Sequence, residues 1–571
     1  MLQEFSFKGF SRRPLLWLRT GFWFFGIVLA FAQAWSYRYY MSADAISYLD
    51  MSDAILPGYS WGKLVNGVWS PLYPALLGIG RALLKPSPYQ EIVTTHLLNL
   101  VFFLFAFACF EFMLKSLLSR RAETELAMLM PDWACLILAY AIFLWASISQ
   151  ITLTTLRPDM LMSGFVYLAM GILLPMTGRA PSWRAYLGLG VVLGVGFLAK
   201  APMLPLGLLL IASSLFLVTS WRSAFAPAVC AGIVVLVIGS CYFVPLSRLR
   251  GHFTLGESGA FNYLYHVDGI GPTWYVQERG EASGTLLRKP DKVFDAPPTY
   301  RFAFPYPVTH PLRFDPAYWT EGLKPRVRLS AQYEAIRENL HVIAGISALG
   351  ALVVAFVVLL SVADTWSALL RLWPLWVSGL FGVAMYLVIH VEPRYIGVFW
   401  VLLWLGLLVG LRPPPDWRNR LLTGVTAGIV IALLIPTIES SMYDFHKMGY
   451  GRKDAAIEAA IALRRYGVCP GDPVARVSRD ITELAWARVS RTTVVAEVDW
   501  AFAEQFWQAD PAVQREILQS MAGSGAKVVV AHLLSGGAPP SGWTRLGHTP
   551  FWVYPLVPMG QPACSTQNGR L

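Results

Sequence analysis

Long apolar runs separated by short polar connections fill most of the first 440 or so positions of the chain. Runs of spanning length fall near 14–35, 92–114, 132–148, 160–176, 185–199, 202–219, 225–246, 340–362, 372–389, 396–411 and 421–437. A helix needs roughly 20 apolar residues to cross a hydrocarbon core of about 30 Å, so the pattern predicts about eleven transmembrane helices. The first run follows a basic stretch and ends on "AFAQA", which superficially resembles a cleaved signal. Its apolar part is about 20 residues long, which fits a retained span better than a signal core.

From about position 440 the period changes. "PVARVS", "TTVVAEV" and "AKVVVAHL" read as short strands, "ITELAWAR" and "DPAVQREILQSMAGSG" as helices between them, and "WTRLGHTPFWVYPL" as closing strands. The expected fold class is a polytopic α-helical membrane protein with a C-terminal extracytoplasmic α/β domain. Residues 1–439 would form the transmembrane region, with outer loops 36–91 and 247–338, and residues 440–571 the soluble domain. Loop 247–338 is rich in Pro, Gly, Tyr and charge without clear periodicity, and a loop of that size is usually functional or a mobile lid.

Composition supports the membrane assignment. The 571 residues are 55% hydrophobic and only 14% charged, where a soluble domain carries nearer ~25% charged residues. The connections "KSLLSRRAETE", "TGRAPSWR", "SWRS", "SALLRLW" and "LRPPPDWRNR" all carry Arg or Lys, which places them on the cytoplasmic side by the positive-inside rule. The net charge of +11 is then explained by that bias and by contact with anionic lipid. Without a basic tract interleaved with aromatics, nucleic acid is excluded as a partner. No GxGxxG or P-loop implies a nucleotide, and no internal repeat is visible.

Cys109, Cys135, Cys230 and Cys241 lie in predicted spans and read as buried apolar residues. Cys469 and Cys564 sit near the two ends of the outer domain, either as a disulfide clasp or as two free thiols. No CxxC or His/Cys spacing suggests a structural zinc.

The polar residues that interrupt this pattern gather on the predicted outer side. In "SADAISYLDMSDAI", Asp44, Asp50 and Asp53 cannot share one helix face, because six residues turn a helix by about 120° from a full repeat. Asp44, two residues after Ser42, also suits a first-turn acid favoured by the helix dipole. In "TTLRPDMLMSG", Asp159 after Pro158 is an ordinary helix-start acid, but Arg157 at a helix N-terminus opposes the macrodipole and calls for an anion. In "HVEPRYIGVFW", His390, Glu392, Arg394 and Tyr395 open a late span, either as an interfacial anchor with an internal Glu392–Arg394 pair or as a place for an anionic head group. Lys200 in "GFLAKAPMLPLG" suits a helix C-terminus, and as an ionisable group near membrane depth it is also a functional candidate. Carboxylates that can take a proton, with cations that can hold a phosphate leaving group, are the chemistry of sugar transfer from a lipid phosphate.

These motifs together resemble the GT-C superfamily of integral-membrane glycosyltransferases, in its bacterial branch of protein O-mannosyltransferases and aminoarabinose transferases. The resemblance rests on Asp44 in "SADAISYLD", on "WSPLYPALLG" at 69–78, on "RPDMLM" and on "EPRY", in that order along the chain. It implies inverting transfer from a polyprenyl-phosphate sugar donor to a glycan, lipid or protein acceptor at the outer face of the bacterial cytoplasmic membrane. Asp44 would be the base and Asp159 a second acid of the site. Arg394 and Tyr395 would contact the donor phosphate, with Arg157 and Lys200 as further candidates and His390 and Glu392 in support.

The chain departs from the aminoarabinose branch at one place. A Glu-Lys pair often precedes the Pro-Pro-Leu-Tyr turn there, whereas this chain reads Val68-Trp69-Ser70-Pro71, which shifts the phosphate-binding role toward Arg157 or Lys200. No metal or other cofactor is expected, although divalent metals serve some branches of the superfamily. Asp50 and Asp53 match no motif and read as rim residues. The competing reading is a transporter or flippase of lipid-linked or hydrophilic cargo, for which the missing repeats and the placement of charge at one rim are poor support. In the outer domain, Trp500, Phe502, Phe506 and Trp507 either recognise an acceptor or pack in a core, and their helical spacing favours packing.

Overall fold

The computed structural model describes residues 12–122, 132–271, 283–359, 370–409, 418–449, 455–478, 483–533 and 541–557. Cys564 lies outside these residues. Every apolar run identified in the sequence falls wholly or largely on a helix. Among the described residues six helical segments are long and apolar enough to cross a membrane: Leu15–Ser36, Glu91–Ser119, Asp132–Ile151, Asp159–Met176, Trp221–Arg250 and Thr426–His446. Trp183–Ala199, Met203–Leu217, Trp373–Leu387 and Pro393–Leu408 are shorter apolar helices packed among them. The chain is a multi-pass helical membrane protein.

Helix–helix contact inside this unit depends on small residues, as expected where lipid offers no hydrophobic drive for association. Gly164 and Gly171 on helix Asp159–Leu173 face helix Glu91–Ala122 so closely that a Cβ at either would overlap the ring of Phe105 or Phe112. Around this seam Phe103, Phe107, Phe110, Phe143, Tyr140 and Tyr167 form a buried aromatic core. Cys109 and Cys135 are buried as expected, but Cys241 is exposed and Cys230 half-buried. Both lie on Trp221–Arg250, a helix whose outward face carries Ile233, Leu236 and Val237 and is suited to lipid.

The stretch "WSPLYPALLG" is more ordered than a turn. Pro71 caps, and Pro74 sits in the first turn of, a helix over Leu72–Leu84. First-turn N–H groups have no intrahelical partner, so proline is tolerated there. This helix buries Tyr73, Leu77 and Arg81 and leaves Ile79, Leu83 and Leu84 exposed.

The described residues outside the helical unit form nine short strands: β1 Ser283–Gly284, β2 Asp291–Phe294, β3 Thr299–Arg301, β4 Leu323–Lys324, β5 Pro473–Val477, β6 Thr493–Val498, β7 Val528–His532, β8 Thr544–Arg545 and β9 Phe551–Pro555. Seven of them form one sheet in the order β2-β3-β6-β5-β7-β9-β8, with β5 parallel to both β6 and β7 and the remaining pairs antiparallel. The long loop is therefore no free lid over this stretch. It supplies β2 and β3, and β3 pairs with β6 from Thr299–Val498 to Arg301–Ala496. On one sheet face Val474, Val494, Val528 and Val530 pack with Ala459 and Leu463, and also with Ala45, Ile46 and Leu49 from the first loop. On the other face Ala475, Val477 and Ala496 pack with Phe506, Ile517 and Trp543. Phe502 and Trp507 border this second core, so these aromatics pack, and Trp500 is half-buried beside them. Cys469 is disulfide-bonded.

Candidate active site

A cavity of about 410 Å³ opens where the first loop, the Lys200 junction, the short helix Ser258–His266 and the start of helix Pro393–Leu408 meet. Asp44, Lys200, His390, Arg394 and Tyr395 line it, with Tyr48, Trp69 and Phe197 among its apolar walls. Residues from four separate stretches of sequence thus converge in one space.

Asp44 comes from helix Ala43–Ser52. Ser42 caps that helix, its hydroxyl accepting from the Ala45 N–H at 3.3 Å, which places Asp44 in the first turn. Ala45, Ile46 and Leu49 go to the sheet domain and Tyr48 to the membrane core, so Asp44 is left at the cavity edge. Among the described residues it makes no ion pair.

Asp159 is the first residue of helix Asp159–Leu173, with Pro158 as the cap. It is 1% exposed. The loop before it is anchored by side chains that no motif indicated. Helix Asp132–Leu144 ends in a wider turn over Trp145–Ile151. Gln33, in the first span, donates to the Ile148 carbonyl at 2.7 Å and accepts from the Leu153 N–H at 2.9 Å. Asn99 donates to the Thr155 carbonyl at 2.9 Å and accepts from the Tyr73 hydroxyl at 2.8 Å. A buried backbone group without a partner is costly, so these amides stabilise the irregular turn that aims Asp159. The available signal was a Gln and an Asn inside otherwise apolar spans.

The two cations of the cavity meet on Asp159. Lys200 Nζ lies 2.5 Å from Oδ1, and Arg394 Nη1 lies 3.1 Å from Oδ2. Arg394 also donates to Glu392, from Nε to Oε2 at 2.6 Å and from Nη2 to Oε1 at 3.1 Å. Its Nη2 lies 2.8 Å from the Tyr395 hydroxyl oxygen. The Tyr395 ring has Lys200 Nζ 4.2 Å and Arg394 Cζ 4.3 Å from its centroid, and it stacks on Tyr386 at 5.0 Å. Such cation–π contacts hold two like charges near each other at lower cost. Arg394, in the first turn of helix Pro393–Leu408, therefore has its anions, as does Lys200, and the internal Glu392–Arg394 pair is also present.

Glu392 and Arg157 stand behind the lining. Burial opposes charge on Glu392, but hydrogen bonds from His390 and Arg394 hold its carboxyl well below the usual carboxylate range. Arg157 Nη1 is 4.0 Å from Glu392 Oε2, one layer away from the cavity. His390 stacks face to face on His266 with ring centroids 3.8 Å apart. Burial, and then the neighbouring His390, lower His266 to about 4.

Asp50 and Asp53 depart from the rim reading. Both are buried, at 2% and 3% exposure, in an ion cluster with Arg81, Glu91, Arg488 and Arg491. No composition or motif signal pairs the first loop with arginines more than 400 positions downstream. Among the described residues no group of three or more His, Cys, Asp or Glu could hold a metal.

No protein-family model matches the chain, and no curated protein sequence matches it. Solved structures share its fold. ArnT from Cupriavidus metallidurans in the apo state superposes with a TM-score of 0.50 at 13% identity, over 95% of this chain and 98% of that one. The same protein bound to undecaprenyl phosphate gives a TM-score of 0.51 at 13% identity, over 96% and 99% of the two chains. The chain thus shares the fold of that protein, a polytopic helical unit with a C-terminal α/β domain.

Proposed function

We propose that this chain is a glycosyltransferase that moves a sugar from a polyprenyl-phosphate donor to a hydroxyl or amine acceptor, with the cavity on the extracytoplasmic face of the bacterial cytoplasmic membrane. One observation carries the reading: a carboxylate with no ion pair among the described residues, Asp44, shares a cavity with Lys200 and Arg394. The fold shared with a protein that binds undecaprenyl phosphate supports it.

In this mechanism Lys200 and Arg394 hold the donor phosphate. They are already brought together by Asp159, so little reorganisation is needed when a second anion arrives. Asp44 accepts the proton of the acceptor as its oxygen or nitrogen attacks the anomeric carbon. The bond from that carbon to the phosphate oxygen breaks, and its electron pair leaves with the polyprenyl phosphate, whose growing charge the two cations stabilise. Attack opposite the leaving group inverts the anomeric centre. Asp159, with both oxygens occupied, contributes by fixing the cations. Arg157 supports the same array through Glu392.

The test uses purified protein in lipid nanodiscs and envelope glycans from cells with and without the gene. Wild type should bind undecaprenyl phosphate, and its removal should delete one glycan modification seen by mass spectrometry. Asp44→Asn should keep the binding and fail to restore the modification. Full restoration by Asp44→Asn, or no binding of undecaprenyl phosphate by wild type, rejects the proposal.

A further inference from the structure

Helix Ala43–Ser52 carries Asp44 at one end and Asp50 toward the other, and the Asp50 end is seated in the C-terminal domain. Six residues of helix separate them, a rise of about 9 Å. Asp50 Oδ2 accepts the Thr309 N–H and Oδ1 the Thr309 hydroxyl, each at 2.8 Å, and Oδ1 also accepts Arg488 Nη1 at 2.7 Å from 438 positions away. Arg488 then spans to Asp53, with Nη1 at 2.7 Å and Nη2 at 2.8 Å, and to Glu91, with Nη2 at 2.7 Å and Nε at 3.1 Å. All five of its donor hydrogens point toward carboxylates of three separate residues. It lies on helix Ala485–Ser490, between β5 and β6 of the sheet.

The other contacts of the helix point the same way. Ala45, Ile46 and Leu49 share a buried cluster with Val474, Val494 and Val528 of the sheet. Ser47 donates to the Arg313 carbonyl at 3.0 Å. Asp44 itself has no ion pair among the described residues, so its place in the cavity is set by the helix it rides on.

We infer that Arg488, in the C-terminal domain, is a positioning residue for Asp44, and that the domain serves the reaction by fixing this helix against the cavity. The inference rests on the transferase reading for its catalytic consequence, and on geometry alone for its structural one. A buried guanidinium shared by three carboxylates fixes position in a way that a mobile lysine point charge does not. Asp44 moves with the helix, whereas the Lys200–Asp159–Arg394 array belongs to other helices and stays. A displacement of about 1 Å at a reacting group can cost on the order of 100-fold in rate.

The experiment compares full-length wild type, Arg488→Met, Arg488→Lys and Asp50→Asn in nanodiscs. Three quantities are read: hydrogen exchange of residues 43–53, affinity for undecaprenyl phosphate, and restoration of the glycan modification in cells. We expect Arg488→Met to speed exchange in 43–53 while β5–β7 stay protected. Affinity for undecaprenyl phosphate should stay within about twofold, and the modification should fall by roughly tenfold or more. Arg488→Lys should recover part of both losses. If Arg488→Met does not fold, Asp50→Asn carries the same test with a smaller change. Unchanged exchange in 43–53, or equal loss of protection across the sheet and of phosphate binding, overturns the inference. If wild type shows no modification at all, the transferase reading fails, and the exchange data still decide whether Arg488 holds the helix.

Discussion

Lys200 Nζ sits 2.5 Å from Asp159 Oδ1, so the lysine at one helix junction is held by the first residue of another helix. Neither residue would be stable there alone. Asp159 is 1% exposed, and an ionised carboxylate so placed needs compensating charge. Lys200 and Arg394 supply it, and the carboxylate in turn keeps two cations together at the cavity wall.

Lys200→Met should weaken binding of undecaprenyl phosphate by roughly tenfold to 100-fold, the value of one charge-assisted hydrogen bond of about 1.5–3 kcal/mol. Arg394 remains on Asp159 in this variant, so the fold should persist. Titration of nanodisc-embedded protein with undecaprenyl phosphate measures the change, and an unaltered affinity would remove Lys200 from the donor site.

Asp159→Asn and Asp44→Asn should separate cleanly in stability. Asp159→Asn leaves Lys200 and Arg394 without their shared counter-charge and should destabilise by about 3–5 kcal/mol. Asp44→Asn breaks no ion pair among the described residues and should stay within about 0.5 kcal/mol of wild type. Thermal unfolding of the two variants beside wild type checks this. A similar shift for both would mean that Asp159 is not the electrostatic centre of the site.

Low pH should loosen the helix Ser258–His266. Burial, and then the stacked His390, hold His266 at about 4, below its usual 6.5. Between these values the unfolded chain binds a proton that the folded chain does not. Stability from this group is thus fully present above about 6.5 and is lost as pH falls toward about 4. Glu392 works in the opposite sense but is the weaker influence. His266→Phe preserves a ring stack without the titration. Its melting temperature should rise relative to wild type as pH drops through this window, and a difference that does not vary with pH contradicts the assignment.

Gly67→Ala should be destabilising by about 1–3 kcal/mol through overpacking. The Gly67 carbonyl accepts the Glu257 N–H at 2.9 Å, and a Cβ there would collide with the Glu257 carboxylate and lie 2.7 Å from Arg250 Nη2. Arg250 bridges Glu257 and Asp315, at 2.9 Å and 2.8 Å, so the substitution disturbs the knot from which helix Ser258–His266 starts. Thermal unfolding should register the loss, and a neutral result would show that the knot can yield.

The length of the apolar runs determined where the long membrane helices lie, though not helix Leu72–Leu84, because a run of apolar residues has few alternatives in a membrane and each run satisfies its own backbone. The polar interruptions at Asp44, Asp159, Lys200 and the His390–Tyr395 stretch were also visible, since charge beside lipid is expensive and stands out. Apart from the Glu392–Arg394 pair, their partners were not. Whether Asp159 meets Lys200, whether Asp50 is a rim acid or the seat of Arg488, and whether 283–324 covers a site or joins a sheet depend on how distant segments dock. Ion pairing and strand pairing between segments hundreds of positions apart leave no local trace in a single sequence, because the energy belongs to the contact and not to either residue. Tertiary structure decided those questions, and with them which acid lines the cavity with no ion pair among the described residues.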